Sequence, residues 1–364
     1  MARTKKSRST GTAAASNDPG KPVSPHYCLM RSRPPVVLPA GLTTPRARLI
    51  IITASKWMNG STLTYGFYSG PTIQKDAVRA AFAEWKALGI GLSFTEVSGV
   101  ASAQIRIAFD QTDGAWSYVG TDCQTIAANK PTMNFGWDLT TPYGHSTALH
   151  EIGHAIGFPH EHQNPFAGIV WNEAAVYASL GGPPNYWSRD QTFQNILEKI
   201  VADTVQGSKW DPNSVMHYQF ARGMILKPAK YQKGLTPKGG LSARDKKWVK
   251  SFYPSLPSGA PAKLALFQSQ PLKLKSGQQA NFDFIAPANR EYIFRTFGVA
   301  DTVLALSRPV SAKSKPQKAL GIDDDSGHER NAELKATLKK GERVHVKVRV
   351  RYVERAGEAA LMVW

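Results

Sequence analysis

Cysteine is scarce in this sequence: its 364 residues include only Cys28 and Cys123. Two cysteines exclude a small fold stapled by a dense disulfide network. No uninterrupted apolar run approaches the roughly eighteen residues of a membrane-spanning helix, so none is expected. Near the N-terminus the one apolar stretch is Ala13-Ala14-Ala15, which is too short for the core of a secretory signal, so a conventional signal peptide is not expected either.

What is present is typical of an ordinary globular chain, with 42% hydrophobic and 20% charged residues. The length favours two domains, each large enough to bury a core. Residues 1–46 are rich in Ser, Thr, Lys, Arg and Pro, which predicts a disordered basic tail and a pro-segment. Composition changes at about residue 47, where we expect the first folded domain to begin.

The net charge of +18 is unevenly placed. Residues 1–49 carry +8, residues 50–258 carry +3 and residues 259–364 carry +7. A basic surplus can favour nucleic acid or acidic surfaces. No nucleic-acid-binding motif accompanies it, so we expect a basic tail and a well-solvated outer domain, with no specific nucleic-acid partner.

A zinc-binding motif lies in the middle of the chain. His150 and His154 are four residues apart, so on a helix both imidazoles face one point. Gly157 permits the left-handed turn that would bring His160 to the same point. Three protein ligands and one open position are typical of catalytic zinc. Glu151 would stand beside the metal as general base for the attacking water.

The alternative is that these side chains form an ordinary solvated or core cluster. A bare H-E-x-x-H motif would leave that alternative open, but the eleven-residue form with Gly157 and a third histidine is far more specific. Five of the nine histidines also fall within eighteen residues, from His145 to His162. We therefore predict a zinc site.

The two cysteines allow three interpretations. Cys28 and Cys123 could form a disulfide, or Cys28 could remain a buried thiol. Because Cys28 precedes the predicted catalytic domain, its thiolate could also occupy the open zinc position and keep the enzyme latent until the segment is removed.

Hydrophobic patterns predict an α+β catalytic domain over residues 47–254, with a mixed twisted sheet and an active-site helix. Strands are predicted at 49–52, 63–67, 92–97 and 103–109, and Thr72 is expected to cap a helix whose apolar stripe includes Val78, Phe82 and Trp85. Ser188 and Ser242 are each expected to begin a further helix.

The C-terminal part predicts a second, all-β domain over residues 262–364, after a Pro- and Ser-rich linker at 255–261. Valine at every second position from Val344 to Val350 is the pattern of a half-buried strand, and further strands suggest a small sandwich. The run Asp323-Asp324-Asp325 is consistent with a calcium site or with a solvated acidic turn.

The zinc motif together with Ser214-Val215-Met216-His217-Tyr218 resembles the astacin-like branch of the metzincin zinc endopeptidases, and residues 113–120 resemble that family's substrate-binding edge. The resemblance implies a metzincin fold with His150, His154 and His160 as ligands. It implies that Met216 forms the turn beneath the metal. Tyr218 would be an extra ligand that moves away to stabilise the tetrahedral intermediate.

The C-terminal part resembles the bacterial pre-peptidase C-terminal domain on the segments 292–298, 301–304, 323–327 and 331–334. Such modules accompany secreted proteases. The disulfide pattern of astacins is missing, which favours a microbial relative. Secretion is thus expected from the resemblance, with a cytoplasmic or injected effector protease as the alternative.

The sequence therefore predicts a zinc-dependent, monomeric endopeptidase that acts on protein or peptide substrates. The alternative from another class is a catalytically silent zincin that binds or adheres through its basic sandwich. The complete set of three histidines with Glu151 argues against that alternative, because an inactive site usually loses one of them.

Overall fold

A computed structural model gives the fold. It describes residues 27–29, 57, 59–199, 210–253, 255, 261–275, 278–298, 300–309, 320–324, 326–327, 331–351 and 357–364. The expected disorder of residues 1–46, apart from 27–29, lies outside these residues, as does the strand predicted at 49–52. Among the described helices, none has the length and apolar character needed to cross a bilayer.

The first body begins with a five-stranded sheet. Its elements are β1 (Thr62–Phe67), α1 (Thr72–Ala87), β2 (Ser93–Glu96), β3 (Ile105–Ala108), β4 (Trp116–Ser117) and β5 (Met133–Asn134). The strand order is β2-β1-β3-β5-β4. All neighbours are parallel except β4, which runs antiparallel to β5 and forms one edge. The predicted substrate-binding segment is therefore an edge strand.

Helix α1 packs against this sheet through the predicted apolar stripe. Val78, Phe82 and Trp85 are buried in one core with the zinc-motif helix. Thr72 was expected to cap α1, but it is the first helical residue; Pro71 occupies the capping position, and no side chain caps this end.

The rest of the first body surrounds the zinc motif. It comprises α2 (Pro142–Ala155), β6 (Val170–Trp171), α3 (Glu173–Leu180), α4 (Arg189–Thr192), a π-helical turn (Phe193–Leu197), β7 (Ile225–Lys227) and α5 (Ala243–Phe252). Ser188 and Ser242, each expected to begin a helix, cap α4 and α5, and both form capping boxes. A second apolar cluster, which includes Phe220, Met224 and Ile196, lies below the motif.

The C-terminal part forms two sheets. Its strands are β8 (Ala262–Lys263), β9 (Gln270–Leu274), β10 (Gln279–Ile285), β11 (Arg290–Phe297), β12 (Thr302–Ser307), β13 (Gly321–Asp323), β14 (Glu333–Leu338), β15 (Arg343–Val350) and β16 (Gly357–Val363). One sheet has the order β13-β12-β15-β10-β8 and the other β14-β11-β16-β9. A shared apolar core, to which the four alternating valines of β15 contribute, fills the space between them. The predicted β-sandwich is confirmed.

Hydrogen bonds between described residues join the sandwich to the first body. The Lys347 ammonium donates to the Gly60 carbonyl at 2.8 Å, and the Gln279 amide donates to the Asn59 carbonyl at 2.7 Å. Both acceptors lie in the turn before β1. The outer face of β10 and β15 is thus covered in part by the first body. The precise limits of the two domains stay predictions.

Candidate active site

Helix α2 presents the first two predicted ligands. Thr141 caps the helix by accepting from the Gly144 amide, and Pro142 occupies the first turn, where no amide donor is needed. His150 donates its Nδ1–H to the Val215 carbonyl and His154 donates to the Phe158 carbonyl, each at 2.7 Å. Both Nε2 atoms are therefore left as acceptors that face the same space.

The third histidine arrives through a turn after the helix. Gly157 has φ +104°, a left-handed conformation that costs a glycine little. His160 then places its Nε2 3.1 Å from that of His154. All three rings are buried, and burial lowers the pKa of each imidazole; that of His150 falls to about 4. Neutral imidazoles are the form that binds metal.

The donor set fits zinc. One ligand atom from each of Cys28, His150, His154 and His160 lies within 4.8 Å of the others. Nitrogen and sulfur donors in a group of four are typical zinc ligands. The buried Nε2 of His150 has no hydrogen-bond partner, so a cation at this point would satisfy an atom that the protein leaves unpaired.

Glu151 lies beside these donors and is completely buried. Its Oε2 accepts a hydrogen bond from the Cys28 thiol at 3.3 Å, whereas its Oε1 has no partner. Burial raises the pKa of this carboxyl to about 8. A carboxylate with one unpaired oxygen beside a metal-ligand cluster is arranged as an acceptor for a proton.

The turn beneath the histidines is fixed by helix α5. Asp245 accepts hydrogen bonds from the Ser214 hydroxyl at 2.6 Å and from the Val215 amide at 2.8 Å. Val215 in turn holds the His150 ring through its carbonyl. The orientation of His150 therefore depends on a carboxylate nearly a hundred residues away in the chain.

Met216 occupies the packing position that the resemblance implies. Its side chain lies under α2, and a Cβ added to Gly153 would come within 2.4 Å of the Met216 sulfur. The Met216 carbonyl accepts from the Glu161 amide at 3.0 Å, directly after the third histidine. This turn therefore supports both ends of the histidine cluster.

Tyr218 contacts the cluster directly. Its hydroxyl lies 2.6 Å from His160 Nε2 and donates a short hydrogen bond to the Cys28 carbonyl. Burial and the neighbouring Cys28 and Glu151 raise the pKa of this phenol. Tyr218 is thus a neutral donor at the position implied for the extra ligand.

Residues 27–29 cross the site above these groups. Leu29 donates its amide to the carbonyl of Ala115, next to edge strand β4, at 3.1 Å, and the Tyr27 amide donates to the Asn185 side chain at 3.1 Å. Between these anchors Cys28 is buried, with its thiol on Glu151 and its carbonyl on Tyr218. Burial and the Glu151 carboxylate raise the pKa of the thiol.

Cys28 and Cys123 are not joined by a disulfide. Cys123 lies instead in the core that α1 and α2 share, away from the histidines. The structure therefore contains no disulfide between these two cysteines. It places Cys28 among the metal donors.

The acidic run of the sandwich is occupied by contacts within the chain. Asp323 accepts from the Ser326 and Glu333 amides, and Asp324 forms an ion pair with buried Arg351 at 3.0 Å. Asp325 lies outside the described residues. These contacts give the calcium interpretation no support.

An open cavity of about 430 Å³ adjoins Glu151 and Cys28. It lies between α2, the turn after Met216 and the loop at 236–240. Its walls include Tyr143, Thr147, His217, Gln219, Pro237 and Lys238. Space for a side chain therefore remains next to Glu151 and the histidines even with residues 27–29 in place.

Sequence reasoning missed several contributors to the site. Tyr27 and Asn185 have no motif, and the role of the Val215 carbonyl is invisible in side-chain patterns. Asp245 alone gave a signal, because it completes the capping box of Ser242. A capping box indicates where a helix starts. It does not indicate that the same carboxylate also holds Ser214 and Val215.

Comparison with known proteins agrees with this geometry. The family model Astacin, which describes a family of peptidases, matches residues 50–253. A solved structure of myroilysin is 35% identical, covering 57% of this chain and 98% of that one, with a TM-score of 0.52. Protein SpAN of Strongylocentrotus purpuratus is 26% identical over 180 residues, which are 48% of this chain and 26% of that protein. The chain thus spans about a quarter of that relative's length.

The C-terminal part is similar to the pre-peptidase C-terminal domain of collagenase from Bacillus anthracis, at 16% identity over 30% of this chain and 98% of that one, with a TM-score of 0.24. The sandwich architecture of this part follows from its strand pairing and shared core, described above. For the first body, the family match, the myroilysin structure and the donor cluster agree. The chain belongs to the astacin family of peptidases and is a zinc metallopeptidase.

Proposed function

We propose that the protein is an endopeptidase that hydrolyses peptide bonds within protein substrates, with Glu151 as general base. The observation that carries the proposal is the buried Glu151 carboxylate, whose Oε1 has no partner and which lies beside the histidine donors. His150, His154 and His160 would hold the zinc ion. When bound, zinc supplies a Lewis acid that polarises the scissile carbonyl and acidifies water.

Two side chains have separate roles: Glu151 transfers the proton, and Tyr218 stabilises the developing negative charge. Glu151 accepts the proton of the attacking water and later delivers it to the leaving amine. The Tyr218 hydroxyl donates to the oxygen that becomes negative as the tetrahedral intermediate forms. Edge strand β4 offers backbone groups to an extended substrate, in the way that the Ala115 carbonyl already receives Leu29.

The test compares Glu151→Gln with Glu173→Gln in a chain that also carries Cys28→Ala, which removes the thiol from the site. Glu173 is an exposed glutamate at the start of α3 and serves as the matched control. Cleavage of denatured casein should fall by roughly two to four orders of magnitude in Glu151→Gln, the typical contribution of general-base catalysis, and not in Glu173→Gln. Bound zinc should stay stoichiometric in both. Equal turnover by the two variants would remove Glu151 from the mechanism and favour a different interpretation of the site.

We further infer that residues 27–29 keep the full chain latent. Three observations support this: Cys28 Sγ is among the metal donors, its thiol contacts Glu151, and its carbonyl engages Tyr218. The general base and the oxyanion donor are both engaged by the segment, so a substrate must displace the segment before it can use them. Removal of the segment would free both groups together.

Latency is tested by casein cleavage with the full chain. Cys28→Ala should raise the rate by about tenfold or more, because it removes both the sulfur donor at the metal position and the hydrogen bond to Glu151. Cys123→Ala, at the other buried cysteine, should leave the rate unchanged. A Cys28→Ala rate no higher than that of the unchanged chain would show that the segment does not inhibit.

Secretion by a bacterial source is proposed on the same family grounds, since astacin-type peptidases are typically secreted. Fractionation of the producing cells into medium, envelope and cytoplasm tests it. Protein confined to the cytoplasm would favour the injected or intracellular alternative.

A further inference from the structure

Tyr27 fills a defined aromatic pocket one residue away from the metal donors. The residue is 5% exposed, and its ring lies against Tyr218, Trp187 and Phe220, with centroid separations of 5.2, 6.1 and 6.0 Å. The planes of the Tyr27 and Tyr218 rings meet edge to face, at an angle of 66°. Such tilted contacts are the favoured arrangement of aromatic pairs.

The pocket also satisfies the polar end of the side chain and its backbone. The Tyr27 hydroxyl points to the sulfur of Met224 at 3.9 Å, and the Tyr27 amide donates to Asn185 Oδ1. Polarizable sulfur beside an aromatic group is a favourable contact. The pocket therefore binds both the ring and the adjoining peptide group.

The three residues cross the cleft past the groups that the proposed mechanism assigns to the substrate. Cys28 lies at these groups, Leu29 hydrogen-bonds to the residue before the edge strand, and Tyr27 packs in the apolar cluster that includes Phe220 and Met224. A peptide that replaces the segment would bring its scissile bond to Glu151 and Tyr218. One of the side chains next to that bond would then meet Trp187, Phe220 and Met224.

We propose that this pocket is a substrate subsite that selects an aromatic side chain directly beside the scissile bond. The proposal rests on the endopeptidase function proposed above and adds the class of residue at which it cuts. It concerns the wall that Tyr27 covers and not the open cavity at 236–240. Loss of Tyr27 from the pocket would uncover apolar surface that an aromatic substrate residue can bury again.

The first experiment maps cleavage sites with full-length protein carrying Tyr27→Ala and Cys28→Ala, which empties the pocket and removes the thiol, and a pool of peptides of known sequence. Phe, Tyr and Trp should be enriched at one of the two positions that flank the cut. Matched peptides with Tyr or Ala at that position should differ about tenfold or more in kcat/KM, in line with hydrophobic pocket discrimination.

A pocket variant and a control then locate the preference. Trp187→Ala, in the same background, should reduce the Tyr-to-Ala ratio to about threefold or less. Tyr177→Ala should keep the ratio, because Tyr177 is a half-buried aromatic of α3 that stacks on Arg189 and not on Tyr27. No aromatic enrichment, or an enrichment that survives Trp187→Ala, overturns the proposal.

A second experiment needs no protease activity and so separates the pocket from the proposed function. The rate of Cys28 alkylation by iodoacetamide is measured by peptide mass spectrometry in the full chain with Tyr27, Tyr27→Phe or Tyr27→Ala. The Phe variant should react like the unchanged chain, and the Ala variant about tenfold faster. Equal rates for Tyr27 and Tyr27→Ala would show that the pocket does not select aromatic rings. A protein that passes this test but cleaves no peptide would contradict the endopeptidase function instead.

Discussion

At the scale of single residues, Tyr218 belongs both to the proposed latent arrangement and to the proposed catalytic one. Its hydroxyl donates to the Cys28 carbonyl and lies 2.6 Å from His160 Nε2. The same hydroxyl is the proposed oxyanion donor. On the proposed mechanism, this hydroxyl serves a substrate only after it leaves the Cys28 carbonyl, so displacement of the segment and readiness for catalysis coincide at this residue.

Replacement of Tyr218 by Phe should therefore act in opposite directions in two assays. In the Cys28→Ala background, kcat should fall by about one to two orders of magnitude, as for loss of an oxyanion donor. In the otherwise unchanged chain, Cys28 should be alkylated faster, because its segment loses a buried hydrogen bond. An unchanged kcat would remove Tyr218 from the mechanism, while an unchanged alkylation rate would show that it does not hold the segment.

At the scale of elements, helix α5 supports the floor of the site. Asp245 closes the capping box with Ser242 and also holds Ser214 and Val215. One carboxylate thus joins the start of a helix to the turn that orients His150. The zinc motif on α2 depends on α5, although no sequence pattern links the two.

We expect Asp245→Asn to weaken both stability and metal binding. The amide would turn a donor toward the Val215 or Ser242 amide, which leaves a buried group unpaired and costs on the order of 2 kcal/mol. Zinc affinity should fall about ten- to hundredfold, because the ring of His150 loses its fixed partner. Urea unfolding and competition with a zinc chelator measure the two effects.

Asp190→Asn is the matched control, because Asp190 is an exposed acid in the first turn of α4. Its effect on unfolding should stay within about 0.5 kcal/mol. Equal effects of the two substitutions would mean that the Asp245 contacts add nothing specific to the site.

At the scale of the whole molecule, the sandwich is docked on the catalytic body through polar groups. Lys347 donates to Gly60 and Gln279 donates to Asn59, in the turn that leads into β1. Burial in this contact lowers the pKa of Lys347 to about 8. The charged form of this lysine is thus disfavoured in the folded protein.

This shift predicts a pH dependence of stability. The folded pKa of about 8 is below the ordinary lysine value of 10.5, so between these values the unfolded chain binds more protons than the folded one. The free energy of unfolding should rise with pH across that window, by on the order of 2 kcal/mol. Urea unfolding at pH 7.5 and 10, in the Glu151→Gln background to prevent self-digestion, measures the rise.

Lys347→Met should abolish that part of the rise, because the titrating group is gone. Lys273→Met, at an exposed lysine of β9, should keep it. Only the difference between variants is diagnostic, since tyrosines titrate in the same range. A rise that is identical in both variants would mean that Lys347 is not desolvated by the contact.

Local spacing made much of the site predictable. His150, His154, Gly157 and His160 lie within one helix and its turn, where helical geometry alone decides which groups meet. The alternation of valines from Val344 to Val350 likewise predicted the buried face of β15. These features needed no knowledge of the remaining chain.

Contacts between distant segments were not predictable. The aromatic pocket of Tyr27 is built from residues more than 150 positions away, and the contact of Lys347 with Gly60 joins two domains. The predicted capping residue of α1, Thr72, was wrong by one position, because Pro71 takes the capping position without a side-chain hydrogen bond. Patterns report periodicity, whereas these features depend on tertiary packing.

The arrangement of residues 27 and 28 also has a practical meaning for chemical biology. It presents a ring, a sulfur atom and a carbonyl oxygen at fixed spacing, against the aromatic wall, the histidine donors and the Tyr218 hydroxyl. A compact molecule that reproduces these three features in the same order would offer a starting scaffold for a blocker of the proposed peptidase site. Its affinity would come from a shape that the protein itself already contains in two consecutive amino acids.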